Sequence, residues 1–187
     1  MVYLADKPTL VGEKVVLRPF KNEDFSFIEE CLKDPEVLKL TGSSSNFNRE
    51  ATLHWYNTRN RQTDRLDLAI VDRSEDFLVG EVVVNSYDEK NHSMNFRILI
   101  GPRGRNQGLG TEATRLIIDY VFKKTSLNQL TLSVFDFNPR AKHVYEKIGF
   151  VIYSIDKNDL EFEGKWIDSI NMNLTRENWL NGRKNTY

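Results

Sequence analysis

Apolar residues along the chain recur at two periods, and those periods divide it into strands and helices. Val15 to Phe20 reads as a strand closed by Pro19. Asn22 can cap a helix whose apolar positions Phe25, Ile28, Cys31 and Leu32 fall at helical spacing. Gly42 to Asn46 is a polar loop, and a second helix covers Arg49 to Asn57 with Asn48 as its cap. Leu66 to Val71 and Leu78 to Tyr87 read as strands joined by a turn-rich stretch, Asp72 to Asp76. Met94, Phe96, Ile98 and Ile100 then alternate with Asn95, Arg97 and Leu99, the period of a strand with two distinct faces. Leu109, Ala113, Leu116, Ile117, Tyr120 and Val121 form one helical stripe. Leu130 to Phe135 is the next strand. A short helix spans Pro139 to Ile148, with proline at its start and Gly149 past its end. Phe150 to Ser154 and Trp166 to Leu174 make a final strand pair. This order predicts an α/β (α+β) fold: a single mixed, mostly antiparallel sheet of about seven strands flanked by about four helices. With no repeat, low-complexity tract or linker, one domain covers residues 1–187.

Composition narrows the function classes. The formal net charge of −1 gives no electrostatic case for nucleic acid. One cysteine, Cys31, excludes an intramolecular disulfide, and its place in an apolar helical pattern makes it a small core residue. The three histidines lack metal-ligand spacing, so no metal is expected. The N-terminus has no signal-peptide pattern and no apolar run is long enough to span a bilayer, so the expectation is a cytoplasmic protein without a membrane partner.

The chemistry concentrates in Ile98-Leu-Ile-Gly-Pro-Arg-Gly-Arg-Asn-Gln-Gly-Leu-Gly110, which runs from a strand through a glycine-rich loop into the strong helix. The first turn of a helix has N–H groups without intrahelical partners at the positive end of its dipole. Gly108 and Gly110 let an anion approach those groups, and Arg103 and Arg105 add charge. Gly108 to Ala113 satisfies the dinucleotide pattern G-x-G-x-x-A, with Asp136 placed to meet a ribose. Against that reading, Gly101 to Gln107 separate the glycines from their strand, and the strands upstream read as antiparallel hairpins. A Walker-type loop is excluded because no Gly-Lys-Ser/Thr follows.

About thirty residues on stands Asn138-Pro-Arg-Ala-Lys-His-Val-Tyr-Glu-Lys-Ile-Gly-Phe150. Together with Arg105-x-x-Gly108-x-Gly110, it resembles the GNAT superfamily of acyl-coenzyme A-dependent N-acyltransferases, whose loop motif is Q/R-x-x-G-x-G/A. The superfamily's second signature, an asparagine followed by a helix ending in Tyr-x-x-x-Gly-Phe, is matched by Asn138, Tyr145, Gly149 and Phe150. Leu17-Arg-Pro-Phe, Asp34-Pro-Glu-Val and Trp166-Ile-Asp-Ser-Ile-Asn-Met extend the likeness over nearly the whole chain. They look most like the branch containing ribosomal-protein N-terminal (alanine/serine) acetyltransferases.

The resemblance implies the GNAT fold with acetyl-CoA as cosubstrate. It implies acetyl transfer to a primary amine, either a protein N-terminus or a small molecule, by direct attack in a ternary complex, and a monomer or homodimer. In such folds the strands Met94–Ile100 and Leu130–Phe135 splay apart and the pantetheine arm lies between them. The implied cofactor-binding residues are Ile98, Leu99 and Ile100 on the strand, Arg103, Arg105, Asn106, Gln107, Gly108, Leu109, Gly110 and Thr111 in the loop and helix start, and Asn138 and Arg140 beyond the next strand. Asn138 also reads as the cap of the helix at Pro139. Acetyl transfer needs a neutral amine and a proton for the leaving thiolate. Tyr145 matches the family's acid and also falls on a helical packing stripe. Relatives carry a glutamate as base where this chain has Asn95, which can orient a water or the amine but cannot act as a base. Asp168, Glu81 and His54 are candidate replacements. Asn95 also motivates an alternative, a catalytically weak acyl-CoA-binding or regulatory domain. Trp55 and Tyr56 can wall a substrate cleft or fill the core. No acidic cluster points to a polyamine, and no basic pocket to an acidic acceptor.

Overall fold

The computed structural model describes residues 2, 4–43, 46 and 48–184; part of the expected Gly42–Asn46 loop lies outside the described residues. Eight strands form one sheet in the order β1-β2-β3-β4-β5-β6-β8-β7. They are β1 (Leu10–Val11), β2 (Val15–Arg18), β3 (Leu66–Asp72), β4 (Phe77–Asp88), β5 (Ser93–Ile100), β6 (Gln129–Phe135), β7 (Val151–Phe162) and β8 (Lys165–Thr175). All pairings are antiparallel except β5 with β6. Six helices accompany them among the described residues: α1 (Phe25–Lys33), α2 (Pro35–Thr41), α3 (Arg49–Arg59), α4 (Leu109–Lys124), α5 (Pro139–Ile148) and α6 (Arg176–Lys184). The architecture is the one the pattern predicts, with one more strand and two more helices.

The two faces of the sheet carry different cores. On one, Leu68, Ile70, Val82, Met94 and Phe96 pack against Leu109, Ala113, Ile117 and Val121 of α4 and against Tyr145 of α5. On the other, Ala69 and Leu78 pack against Phe25 and Ile28 of α1 and Tyr56 of α3. The side chains of β5 divide accordingly. Phe96 meets the Tyr145 ring edge-on at 6.3 Å, while Asn95, Arg97 and Leu99 lie on the α1–α3 face in register with Asn85, Val83 and Glu81.

The local departures have physical causes. Asn22 does not cap α1; Asn22–Asp24 forms a 3-10 turn, and the Asp24 carboxylate accepts from the Lys21 N–H at 2.7 Å and pairs with Arg18. Asp34 caps α2, with Pro35 as its first residue and left-handed Gly42 closing it. Seven residues offer too short an apolar period to show as a helix. Most of β7 is polar because it is the exposed edge strand, so its sequence reads as loop beyond Ser154. Arg176 at the start of α6 donates to the carbonyls of Phe122, Thr125 and Leu127, which satisfies the end of α4. Cys31 is buried, and burial pushes its thiol up to about 12, as befits a packing residue. No helix among the described residues is long and apolar enough to cross a membrane.

Candidate active site

The site begins where the sheet comes apart. β5 and β6 are paired only at Ser93–Gln129, Met94–Leu130 and Asn95–Thr131, although β5 continues to Ile100 and β6 to Phe135. Beyond Asn95 the two strands diverge, and β5 keeps only its β4 partner. Its other edge presents N–H and C=O groups to the gap. A cavity of about 860 Å³ passes through this opening, walled by Phe96, Thr114 and Tyr145 from one face of the sheet and by Glu81, Asn95 and Arg97 from the other.

Most of the residues singled out in the sequence meet at this cavity. Ile98, Leu99 and Ile100 line it from the free edge of β5. Arg105, Asn106, Gly108, Gly110 and Thr111 line it from the loop and the start of α4, and Asn138 and Arg140 from the start of α5. The loop is shaped by two left-handed residues, Asn106 (φ 63°) and Gly108 (φ 79°), the latter the N-cap of α4. A Cβ on Gly110 would stand 3.2 Å from Ile100 Cγ1, so this glycine lets the helix start close to β5. The Asn138 Oδ1 accepts from the Ala141 N–H at 3.1 Å and caps α5.

Three loop residues send their side chains elsewhere. Arg103 pairs with Glu30 at 3.2 Å, its guanidinium within 5.5 Å of the Phe27 and Phe77 ring centres (5.3 and 5.4 Å), and does not line the cavity. Gln107 donates its side-chain amide to the Arg103 carbonyl, and Leu109 is a core residue; only their backbone N–H groups remain for an anion. Arg105 lines the cavity, but its guanidinium is held by Asp34 and by Glu36 at 2.9 Å, both from α2. Burial works to raise the Asp34 carboxyl, and the Arg105 and Val37 hydrogen bonds outweigh it and hold the group below its ordinary value. An anion at this loop would thus meet backbone N–H groups more than arginine charge.

Tyr145 is buried at the cavity wall, and among the described residues no protein group bonds its hydroxyl. Burial pushes that hydroxyl up to about 12, so it stays protonated through the physiological range. Asn95 is on the opposite sheet face, its Nδ2 3.4 Å from Asn85 Oδ1. Of the three candidate bases, only Glu81 lines the cavity. Asp168 is taken by Lys157 at 2.6 Å and by the Asn158 N–H, and His54 is exposed on α3. The Glu81 Oε2 accepts from the Tyr56 hydroxyl and from Arg59 Nη1, each at 2.8 Å. Arg59, 4% exposed, also pairs with fully buried Asp67 at 2.9 Å. Burial works to lower the Arg59 pKa, but the charges of Glu81 and Asp67 outweigh it and hold the guanidinium charged. Tyr56 is therefore a core residue rather than a cleft wall, and Trp55 lies over Arg65 at 4.8 Å. Among the described residues, no group of three or more His, Cys, Asp or Glu could hold a metal ion.

Sequence reasoning missed α2, which contributes Glu36, Leu40 and Thr41 to the wall, as well as Phe135 at the end of β6 and Phe137, Asp159 and Ser169 beyond it. The Asp34-Pro-Glu start was the available signal for α2; the others come together only through sheet pairing.

The sequence profile of the GNAT acetyltransferase domain matches residues 14–151. The chain belongs to the GNAT acetyltransferase family. It is an acetyl-CoA-dependent N-acetyltransferase, which transfers acetyl from acetyl-CoA to an amine. Spermidine N(1)-acetyltransferase of Escherichia coli K12 is 25% identical over 177 residues, covering 90% of each chain. An N-acetyltransferase 9-like protein of Caenorhabditis briggsae is 25% identical over 173 residues, covering 86% of this chain and 87% of its own. The fold matches the crystal structure of spermidine N-acetyltransferase from Vibrio cholerae in complex with CoA and spermine, with a TM-score of 0.82, 21% identity, and coverage of 90% of this chain and 99% of that one. The divided β5–β6 edge, the left-handed Gly108 and the free N–H groups of α4 fit coenzyme A.

Proposed function

We propose that the acceptor is a small-molecule amine, acetylated by direct attack while both substrates occupy the divided sheet. The observation that carries this reading is one continuous cavity that reaches both faces, with the Tyr145 side chain in its wall on one side and Glu81, Asn95 and Arg97 on the other. A small amine entering from the α1–α3 side reaches the gap without displacing a strand. The Escherichia coli relative, named for acetylating spermidine, supports the same class of acceptor.

Acetyl-CoA, when bound, supplies an acyl group on a thioester. Ile98, Leu99 and Ile100 present the backbone groups that hold its amide-bearing arm, and the N–H groups from Arg105 to Gly110 face its phosphates. Tyr145 holds a proton at its hydroxyl and donates a hydrogen bond to the departing thiolate; burial raises its pKa, which keeps the hydroxyl protonated for that role. Asn95 orients the amine or a water through its amide. Glu81 is the carboxylate that can accept a proton from the amine, directly or through water, because its Oε1 is left free of the two bonds that hold Oε2.

Incubation with acetyl-CoA and a panel of small amines and N-terminal peptides, with thiol release as readout, tests the reading. Turnover with small amines is the expected result. Turnover confined to peptide N-termini, which the ribosomal-protein resemblance would favour, overturns it, as does acetyl-CoA binding without turnover across the panel.

A further inference from the structure

The charges on the α1–α3 face of the cavity match an acceptor that carries a negative group of its own. Glu81 and Arg97 project from that face on neighbouring strands. Glu81 stands opposite Leu99, and Arg97 opposite Val83, so the two are diagonal neighbours with Cα atoms roughly 7–8 Å apart. They are not paired with each other. Glu81 is engaged by Arg59 through Oε2, and among the described residues Arg97 has no protein partner. The other arginines of the wall are placed differently: Arg105 is held by Asp34 and Glu36, and Arg140 stands at the start of α5.

A second cation lies against Phe137, a residue of the cavity wall. The Lys39 ammonium sits over the rings of Phe137 and Phe162, 5.7 and 5.8 Å from their centroids. The aromatic surface that could receive a further substrate ammonium already holds one from the chain itself. Of the other acids of the cavity wall, Asp159 accepts the Ser169 hydroxyl at 2.6 Å and Glu36 is taken by Arg105 at 2.9 Å. A polyamine placed with one nitrogen at Glu81 meets the Arg97 cation on the neighbouring strand, a like-charge arrangement that costs affinity.

We propose that the acceptor is an amine carrying one carboxylate a few bonds from the nitrogen, with the carboxylate received by the Arg97 guanidinium and the amine directed to Glu81. A planar guanidinium suits a carboxylate because two parallel N–H groups match its two oxygens. Arg97 is then a specificity-determining residue. The proposal rests on the small-molecule reading and narrows it.

The test compares three acceptors of similar length: an amino acid, its uncharged amide, and the diamine with an ammonium in place of the carboxylate. Wild-type kcat/KM for the amino acid should exceed that for the amide by roughly tenfold, and that for the diamine by more. Arg97→Gln, a surface change, should bring amino acid and amide within about threefold of each other, mainly through KM, and Arg97→Glu should turn the preference toward the diamine. Calorimetry with the N-acetyl amino acid gives a readout independent of turnover; binding to wild type should fall by about the same factor in Arg97→Gln. Equal or better wild-type use of the amide or the diamine sinks the proposal while acetyl transfer to small amines stands, and so does a preference that survives both substitutions. Failure of every small amine to release thiol breaks the underlying reading instead.

Discussion

The two walls of the cavity are built from different materials. The wall we propose for the cofactor is mostly backbone: the free edge of β5, the left-handed turn at Asn106 and Gly108, and the first N–H groups of α4. The wall we propose for the acceptor is mostly side chains from distant segments, with Glu81 on β4 held by Tyr56 and Arg59 of α3, Arg97 on β5, and Phe135 and Ser169 beyond the gap. A backbone site tolerates exchange of side chains as long as dihedral angles survive. A side-chain site changes its ligand with one substitution. The contrast explains how one acyl donor can be retained while the acceptor varies.

The sharpest way to break the acceptor wall is Arg59→Ala. It leaves Asp67 and Glu81 without their shared counter-charge in the interior, and should cost about 3–5 kcal/mol of stability. Urea unfolding measures it; a loss below about 1 kcal/mol would show that water or Arg65 already compensates Asp67. Tyr145→Phe tests the junction of the two walls. It should lower kcat by about a hundredfold with acetyl-CoA affinity retained, because the ring packing against Phe96 and Phe150 is kept. The pH profile adds a sign. A tyrosine raised to about 12 by burial keeps its proton below that pH, so its ionisation should not reduce wild-type kcat near its ordinary value of 10.0. An alkaline fall centred there that disappears in Tyr145→Phe would place the hydroxyl in water rather than in a buried wall.

The same contrast governs what could be read from the sequence. The cofactor wall is local, so Gly108, Gly110 and Asn138 announce it through helix starts and positive-φ signals within forty residues. Helix α4 and the alternation of β5 were legible because their buried stripes repeat over whole elements. The acceptor wall depends on which strands pair and which helix covers them. Glu81 has the same alternating context as any strand glutamate, and only the α3 network singles it out. Arg103 shows the reverse error: its place in the loop suggests phosphate, yet Glu30 and two phenyl rings draw it to α1.

Within the cofactor wall, glycine substitutions separate dihedral angle from space. At Gly108 a Cβ would find nothing nearer than the Lys14 ammonium at 3.6 Å, so Gly108→Ala is penalised by its φ of 79° alone. About 1–2 kcal/mol is expected, seen as a roughly tenfold weaker Kd for coenzyme A if the free loop of the variant relaxes out of this angle and the bound loop must return to it. At Gly110 the backbone is helical and the added methyl meets only side-chain atoms, Ile100 at 3.2 Å and Ile98 at 3.7 Å, so Gly110→Ala should cost less. A larger effect at Gly110 would mean that close approach of the ligand, and not the turn, is what the glycines serve.

The smallest effect tests whether the cofactor wall is backbone throughout. Asn138 is a polar side chain with a structural task at the start of α5, since Oδ1 caps that helix while Nδ2 has no partner among the described residues. Asn138→Ala should lose about 1 kcal/mol of stability with the cap. Asn138→Ser restores an acceptor for the Ala141 N–H but removes the amide donor. If the wall acts through backbone alone, serine rescues both stability and coenzyme A affinity, because a correctly started α5 is all that is required. If serine rescues stability while affinity stays severalfold weak, Nδ2 is itself a ligand, and the cofactor wall shares the acceptor wall's dependence on single side chains at this position.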